Sequence, residues 1–254
     1  MADWLAKHAL GLVMFSLTIG LAPAVSSADD ALTAEQDAAV REIIHDYLLS
    51  NPEVLVEALR VYERRQKDQV AARQREAILA NLEGLADDPL APVLGNPEGD
   101  VLVVEFFDYR CPYCRQVAGK LRDAVEADGN IKLIMKEFPI LGPESLHAAR
   151  VALAADMQGM YEELHFALMA SSGKLDDKAV FAIAEQTGLD MERLRNDMLS
   201  EEIDEALRRT YELAEALEIR GTPAFVIGKQ LVPGALELED FKALVAEARA
   251  ASRS

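Results

Sequence analysis

The sequence predicts an α/β fold that carries a helical insertion and is preceded by an all-helical N-terminal stalk. Three observations support this prediction. Two apolar runs, Val101–Phe107 and Ile131–Phe138, flank a helix-like stretch, and strands joined through a helix in this way are parallel neighbours. The pair Gly228-Lys229 separates two further β segments, as in a tight hairpin. Between residues 29 and 88, apolar residues recur at the spacing of an α-helix.

The first 28 residues predict a signal peptide. Lys7 lies in a short, weakly basic leader, and Ala9–Ala22 is an apolar run that is too short to span a bilayer. Ser26-Ser27-Ala28 fits a cleavage site before Asp29. A retained membrane anchor is the alternative that this length disfavours. We therefore expect a protein that is soluble after cleavage and exported to an oxidising compartment, the periplasm.

Charge excludes one class of partner. The formal net charge is −18, with 44 acidic and 26 basic residues. Such an acidic surface repels nucleic acid and anionic membranes. We expect no nucleic-acid partner.

Residues 29–88 predict a helical oligomerisation segment. A capping box begins at Thr33, and Ser50-Asn51-Pro52-Glu53 ends the first helix and caps the second. One face of the two helices is an apolar stripe, formed by Val40, Ile43, Ile44, Tyr47, Leu48, Leu55, Leu59 and Tyr62. After Tyr62 the same face becomes polar, with Gln66, Gln69 and Arg73. Such a stripe must be covered, either by other copies of the chain or by the rest of this one. The pattern alone favours neither.

The α/β domain is predicted to span residues 89–254. A linker rich in proline and glycine, Asp87–Asp100, leads into the first strand, and a helix over Cys111–Glu126 joins it to the second. A helical insertion follows, over about 143–217, with predicted breaks at Gly159, Ser171–Gly173 and Gly188. The hairpin strands and a final helix, Glu239–Arg249, end the domain. The order βαβ, helical block, ββα describes a thioredoxin-like core with a helical insertion.

Cys111-Pro112-Tyr113-Cys114 contains both cysteines of the chain. A Cys-x-x-Cys pair at a strand-to-helix junction is typical of a redox dithiol. The helix N-terminus favours the anion of Cys111, so we expect Cys111 to be the nucleophile and Cys114 to resolve the mixed disulfide. A structural zinc site needs four ligands, and the histidines show no ligand spacing.

The segment Glu105–Cys114 resembles the active-site segment of the DsbA-like thiol-disulfide oxidoreductases. Lys136–Pro143 is similar to the stretch after the second core strand in exported members, and Gly221–Phe225 resembles the cis-proline loop of the family. The resemblance implies a cis peptide before Pro223, which would hold the backbone of Thr222 ready to pair with an extended client. It also implies protein substrates that contain cysteines or disulfides, and a membrane redox partner that resets the dithiol.

The N-terminal stretch Asp46–Leu55 resembles the same region of ScsC, the suppressor-of-copper-sensitivity branch. This second resemblance implies a trimer and disulfide isomerase or reductase activity on misfolded proteins. It favours the oligomeric interpretation of the stalk. The alternative within the same class is a monomeric oxidase that donates its disulfide.

Glu105 interrupts an apolar strand six residues before Cys111. A buried carboxyl group there would have its charged form disfavoured, which makes Glu105 a candidate proton acceptor for Cys114. Lys136, on the neighbouring strand, is the predicted counter-ion of Glu105. The alternative is that both side chains point to solvent.

We expect no cofactor besides the redox-active Cys111–Cys114 pair. An alternative of another class is a copper-tolerance protein, because two thiolates suit Cu(I). Three methionines, Met157, Met160 and Met169, lie in the helical block. At this spacing in an alanine-rich stretch methionines are far more often core residues than copper ligands.

Overall fold

The computed structural model describes residues 32–253, so the predicted signal peptide lies outside the described residues. The chain divides into two compact units with the boundary between Leu59 and Arg60. Along the described part, none of the helices is long and apolar enough to cross a membrane.

Two helices begin the described chain, α1 (Ala34–Ser50) and α2 (Glu53–Ala80). Thr33 caps α1 through the predicted capping box: its side chain accepts from the Gln36 backbone N–H, and the Gln36 side chain accepts from the Thr33 N–H. Side chains of the predicted stripe are exposed, among them Ile43 at 68 % and Leu59 at 60 %. That residues 29–88 form a separate oligomerisation segment stays a prediction.

A short helix, α3 (Leu82–Ala86), precedes a five-stranded sheet. The strands are β1 (Val93–Gly95), β2 (Val101–Phe107), β3 (Ile131–Glu137), β4 (Ala224–Ile227) and β5 (Gln230–Pro233), in the order β1-β3-β2-β4-β5. The central pair, β2 and β3, is parallel, and the other pairs are antiparallel. The thioredoxin-like fold class is confirmed.

The parallel pair is joined by α4 (Pro112–Asp128). The insertion consists of α5 (Pro143–Asp156), α6 (Tyr161–Ala170), α7 (Asp177–Gln186), α8 (Met191–Asp197) and α9 (Glu201–Ala216), and α10 (Leu238–Ser252) ends the described chain. The predicted breaks at Gly159, Ser171–Gly173 and Gly188 are confirmed. A further break, before α9, was missed by the sequence analysis; Ser200 caps α9 there by accepting from the Ile203 N–H.

The sheet has a hydrophobic cluster on each face. Val103 and Phe107 of β2 pack on one face with residues of α4, α10 and the insertion. Val104 and Phe106 pack on the other face with Leu213 of α9 and with Ile78 and Leu85, which come from the end of α2 and from α3. Because side chains alternate along a strand, each β2 residue belongs to one of two separate environments.

Candidate redox site

Cys111 lies at the N-cap of α4, and Pro112 follows in the first turn. Proline suits this position because its missing N–H would have no partner within the helix. The Cys111 N–H donates to the Asp108 carbonyl at 3.0 Å. Both Cys111 and Cys114 are free thiols and are buried. The neighbouring Tyr113 is 63 % exposed, so the Cys-x-x-Cys segment borders the surface.

The cis-proline loop faces Cys111. The Thr222–Pro223 peptide bond is cis, as the resemblance implies, and the thiol of Cys111 donates to the Thr222 carbonyl oxygen at 3.2 Å. β4 begins at Ala224, directly after this loop, and pairs with β2. The sheet therefore brings residues that are 111 positions apart in the chain into contact.

Cys114 is fully buried in the first turn of α4. Burial raises the pKa of its thiol far above the ordinary value, and the nearby carboxyl of Glu105 raises it further. A backbone hydrogen bond from Asp108 acts in the opposite direction. Because burial dominates, Cys114 carries its proton until a neighbouring base accepts it.

Glu105 is buried on the sheet face that α4 covers. It pairs in register with Met135 and Phe225, which belong to the same cluster as Cys114. Its Oε1 atom has no hydrogen-bond partner among the described residues. Desolvation raises the pKa of Glu105 from 4.5 to about 8. A carboxyl group with this pKa can exchange a proton near neutral pH.

The prediction that Lys136 is the counter-ion of Glu105 is wrong. Lys136 pairs in register with Phe106 rather than with Glu105, so its side chain lies on the opposite face of the sheet. There its Nζ atom donates to Asp88 Oδ2 at 2.6 Å, and Arg209 contacts the other oxygen of Asp88 at 3.4 Å. Lys136 is buried, but its partner comes from the linker before β1.

Asp108 organises the approach to Cys111 and was missed by the sequence analysis. Its buried carboxylate accepts from the Arg110 N–H at 2.7 Å, from the Ser145 hydroxyl at 2.8 Å and from the Leu141 N–H at 3.0 Å. It thereby links the loop before Cys111 to the loop after β3. An aspartate three residues before the Cys-x-x-Cys motif, at the end of a strand, was the signal that could have indicated this role.

A second buried polar cluster was also missed. Glu137, at the end of β3, accepts from the Tyr109 and Tyr161 hydroxyls, both at 2.9 Å. His165 Nδ1 lies 3.0 Å from the Tyr109 hydroxyl. Burial lowers the pKa of His165 to about 3, so its ring is neutral. A glutamate that ends an apolar strand was the available signal, but its partners on α6 are remote in sequence.

The three methionines considered as copper ligands lie against the hydrophobic core. Met169 is buried, and Met157 and Met160 are partly buried. Within residues 32–253, no group of three or more His, Cys, Asp or Glu side chains could hold a metal ion.

A thioredoxin-like sheet, a Cys-x-x-Cys pair at a helix N-terminus and a facing cis-proline loop define a class, the thiol-disulfide oxidoreductases. A family model described as the DSBA-like thioredoxin domain matches residues 102–246. The chain belongs to this family. A second model, the N-terminal domain of the copper resistance protein ScsC, matches residues 36–69.

Solved structures agree with this assignment. A thioredoxin-like oxidoreductase from Silicibacter pomeroyi is 49 % identical, with a TM-score of 0.65 over 66 % of this chain and 97 % of that one. A linker-deletion mutant of ScsC from Proteus mirabilis is 29 % identical, with a TM-score of 0.66 over 88 % of this chain and 100 % of that one.

Curated relatives include much longer proteins. A protein named Na(+)/H(+) antiporter NhaA 1, from Salinispora arenicola, is 30 % identical over 190 residues, which are 72 % of this chain. The match spans only 29 % of the antiporter's length.

Proposed function

We propose that the chain is an exported disulfide isomerase or reductase that acts on misfolded proteins through Cys111 and Cys114. The observation that carries this proposal is the contact between the Cys111 thiol and the Thr222 carbonyl, 3.2 Å apart beside a cis-proline. It supports a site where an extended client chain meets the nucleophile. One solved structure similar to this chain is named a thiol-disulfide exchange protein, α-DsbA2 from Wolbachia pipientis.

Isomerisation needs no further reactant, whereas reduction leaves the Cys111–Cys114 pair oxidised and needs an outside reductant to restore it. The Cys111 thiolate attacks one sulfur of a client disulfide, and the other client sulfur leaves as a thiolate that takes up a proton. In isomerisation, another client thiolate attacks the mixed disulfide and releases Cys111. In reduction, Cys114 loses its proton and attacks Cys111 Sγ, which closes the Cys111–Cys114 disulfide. Two electrons then pass to the client, which leaves as a dithiol.

Glu105 is the proposed acceptor of the Cys114 proton. Its carboxyl lies near enough to raise the pKa of Cys114, and its own pKa is about 8. At neutral pH a fraction of Glu105 is ionised and able to accept. Thr222 would pair with the client backbone, and Pro223 would hold that backbone in place. Lys136 lies on the other face of the sheet, so we propose only a structural role for it.

The stalk supports an oligomer. Every side chain of α1 is at least partly exposed, and its apolar residues include Ile43 at 68 % and Tyr47 at 55 %. Exposed apolar stripes of this kind are usually covered by another chain. The match to the ScsC N-terminal domain adds support for copies of this chain. We propose a homotrimer in the periplasm, with a membrane protein that resets the dithiol.

The test is reactivation of a ribonuclease with scrambled disulfides, combined with the molar mass of the protein in solution. Ile43→Lys places a charge on the exposed stripe, and Glu42→Lys places the same side chain one position earlier as a control. We expect the wild type and Glu42→Lys to be oligomeric and to reactivate the client, and Ile43→Lys to lose both properties.

Cys111→Ser should abolish reactivation in any oligomeric state. If the wild type were monomeric and inactive with the scrambled client but oxidised reduced clients rapidly, the isomerase proposal would be wrong. A disulfide-donating oxidase would then be the better description.

A further inference from the structure

Tyr109 ties the segment before the dithiol to the helical insertion. Its ring is buried at 1 % exposure, and its hydroxyl donates to Glu137 Oε1 at 2.9 Å and lies 3.0 Å from His165 Nδ1. His165 belongs to α6, as does Tyr161, whose hydroxyl donates to the same Glu137 atom. The side chain two positions before Cys111 is therefore held from two directions, by β3 and by the insertion.

Arg115 makes a matching attachment on the other side of the dithiol. It follows Cys114 directly, and its Nε atom donates to the Tyr109 carbonyl at 2.7 Å. Its Nη1 atom donates to the carbonyls of Ser171 and Gly173, at 3.1 and 3.4 Å, just after α6. A planar guanidinium can bridge several carbonyls in this way, whereas a lysine ammonium has no comparable fork.

These two attachments, at Tyr109 and Arg115, flank the N-terminus of α4, where Cys111 lies. A helix N-terminus stabilises a bound anion through the free N–H groups of its first turn, so in α4 these groups act on the Cys111 sulfur only if they point at it. That orientation depends on the backbone between Tyr109 and Cys111, and Arg115 holds the Tyr109 carbonyl at the start of this stretch. A small rotation of the loop would weaken the stabilisation of the thiolate without unfolding the domain.

We propose that Tyr109 and Arg115 are positioning residues that fix the dithiol segment against the helical insertion and thereby set the reactivity of Cys111. This inference rests on the proposed function for its biological meaning. Its test does not, because the reactivity of a thiol is measurable without any client protein. The insertion then acts on the redox site itself.

The test measures alkylation of Cys111 by iodoacetamide between pH 5 and 9, in a Cys114→Ala background that leaves one thiol. Tyr109→Phe removes the hydroxyl and keeps the ring. Tyr211→Phe is its control, because it removes a hydroxyl of the insertion that donates to the Pro139 carbonyl at 2.6 Å rather than to Glu137. Arg115→Lys is the second variant. Its control is Arg122→Lys, since Arg122 also contacts the insertion, 4.7 Å above the Phe166 ring, but not the dithiol segment.

We expect Tyr109→Phe and Arg115→Lys to slow alkylation about threefold at neutral pH, the size of a typical helix-terminus effect. Both controls should alkylate like the parent protein. With both cysteines present, the two test variants should also shift the equilibrium with glutathione, and the controls should not. Unchanged pH profiles in folded test variants, or equal shifts in the controls, would overturn the proposal.

Discussion

The buried carboxyl of Glu105 makes a prediction about stability that can be worked out from the structure. Burial raises the pKa of Glu105 from 4.5 to about 8. Its Oε1 atom has no hydrogen-bond partner among the described residues that would offset this cost. The folded state therefore holds a proton that the unfolded state releases above pH 4.5. Stability from this group is fully present below pH 4.5 and is lost as the pH rises to about 8.

Glu105→Gln removes this dependence, because glutamine stays neutral and has a similar shape. One pKa unit corresponds to about 1.4 kcal/mol, so the wild type should lose about 3 kcal/mol from this group between pH 4.5 and pH 7. The variant should not. The free energy of unfolding of Glu105→Gln, minus that of the wild type, should therefore rise by about 3 kcal/mol over this range.

Urea unfolding of both reduced proteins at several pH values measures this difference, and all other titrating groups cancel in it. Glu144→Gln is a suitable control, since Glu144 is 37 % exposed in its side chain and pairs with Arg110. The reasoning would be refuted if the free energies of unfolding of Glu105→Gln and wild type differed by a constant amount from pH 4.5 to pH 8. Such a result would mean that Glu105 has the same pKa in the folded and unfolded states.

Three further predictions concern the dithiol and the buried ion pair. Cys114→Ala should accumulate a mixed disulfide with a client on non-reducing gels, whereas Cys111→Ala should form none; the reverse pattern would exchange their roles. Asp88→Asn should cost about 3–5 kcal/mol in urea unfolding, since it leaves the Lys136 charge buried and unpaired, while Asp87→Asn, at a side chain that is 74 % exposed, should cost less than about 0.5 kcal/mol. If the dithiol binds Cu(I), competition with a chromogenic chelator should show one ion per reduced chain and none in Cys111→Ser; equal binding by that variant would place copper elsewhere.

Much of the fold followed from local patterns. The strands, the joining helix and the hairpin each have a periodicity or a turn pair that is visible within a few residues. The break before α9 was missed because Ser200 lies in a stretch with no glycine or proline near it. Its capping role depends on where the next helix begins, which propensity alone does not define.

The candidate site was only partly predictable. Cys111, Cys114 and Pro223 could be predicted because they belong to recognisable sequence motifs. Glu105 could be predicted because it is a charged residue within an apolar strand. The strand pattern could also have indicated that Glu105 and Lys136 face opposite sides, but only once the register of β2 and β3 is known. In that register Lys136 is opposite Phe106, one residue away from Glu105, and a shift of one residue exchanges the faces.

The sequence by itself determined the chemistry of this protein. Two cysteines three residues apart, at the start of a helix, fix the reactive groups and their spacing, because both belong to one helical turn. Only the tertiary structure decided which groups surround them. Asp88 pairs with Lys136, Thr222 accepts from Cys111, and Glu137 joins Tyr109 to the insertion. These contacts, including that of Glu137 with Tyr161 of the insertion, join residues 24 or more positions apart in the chain, and burial selects them only after the sheet and helices have packed.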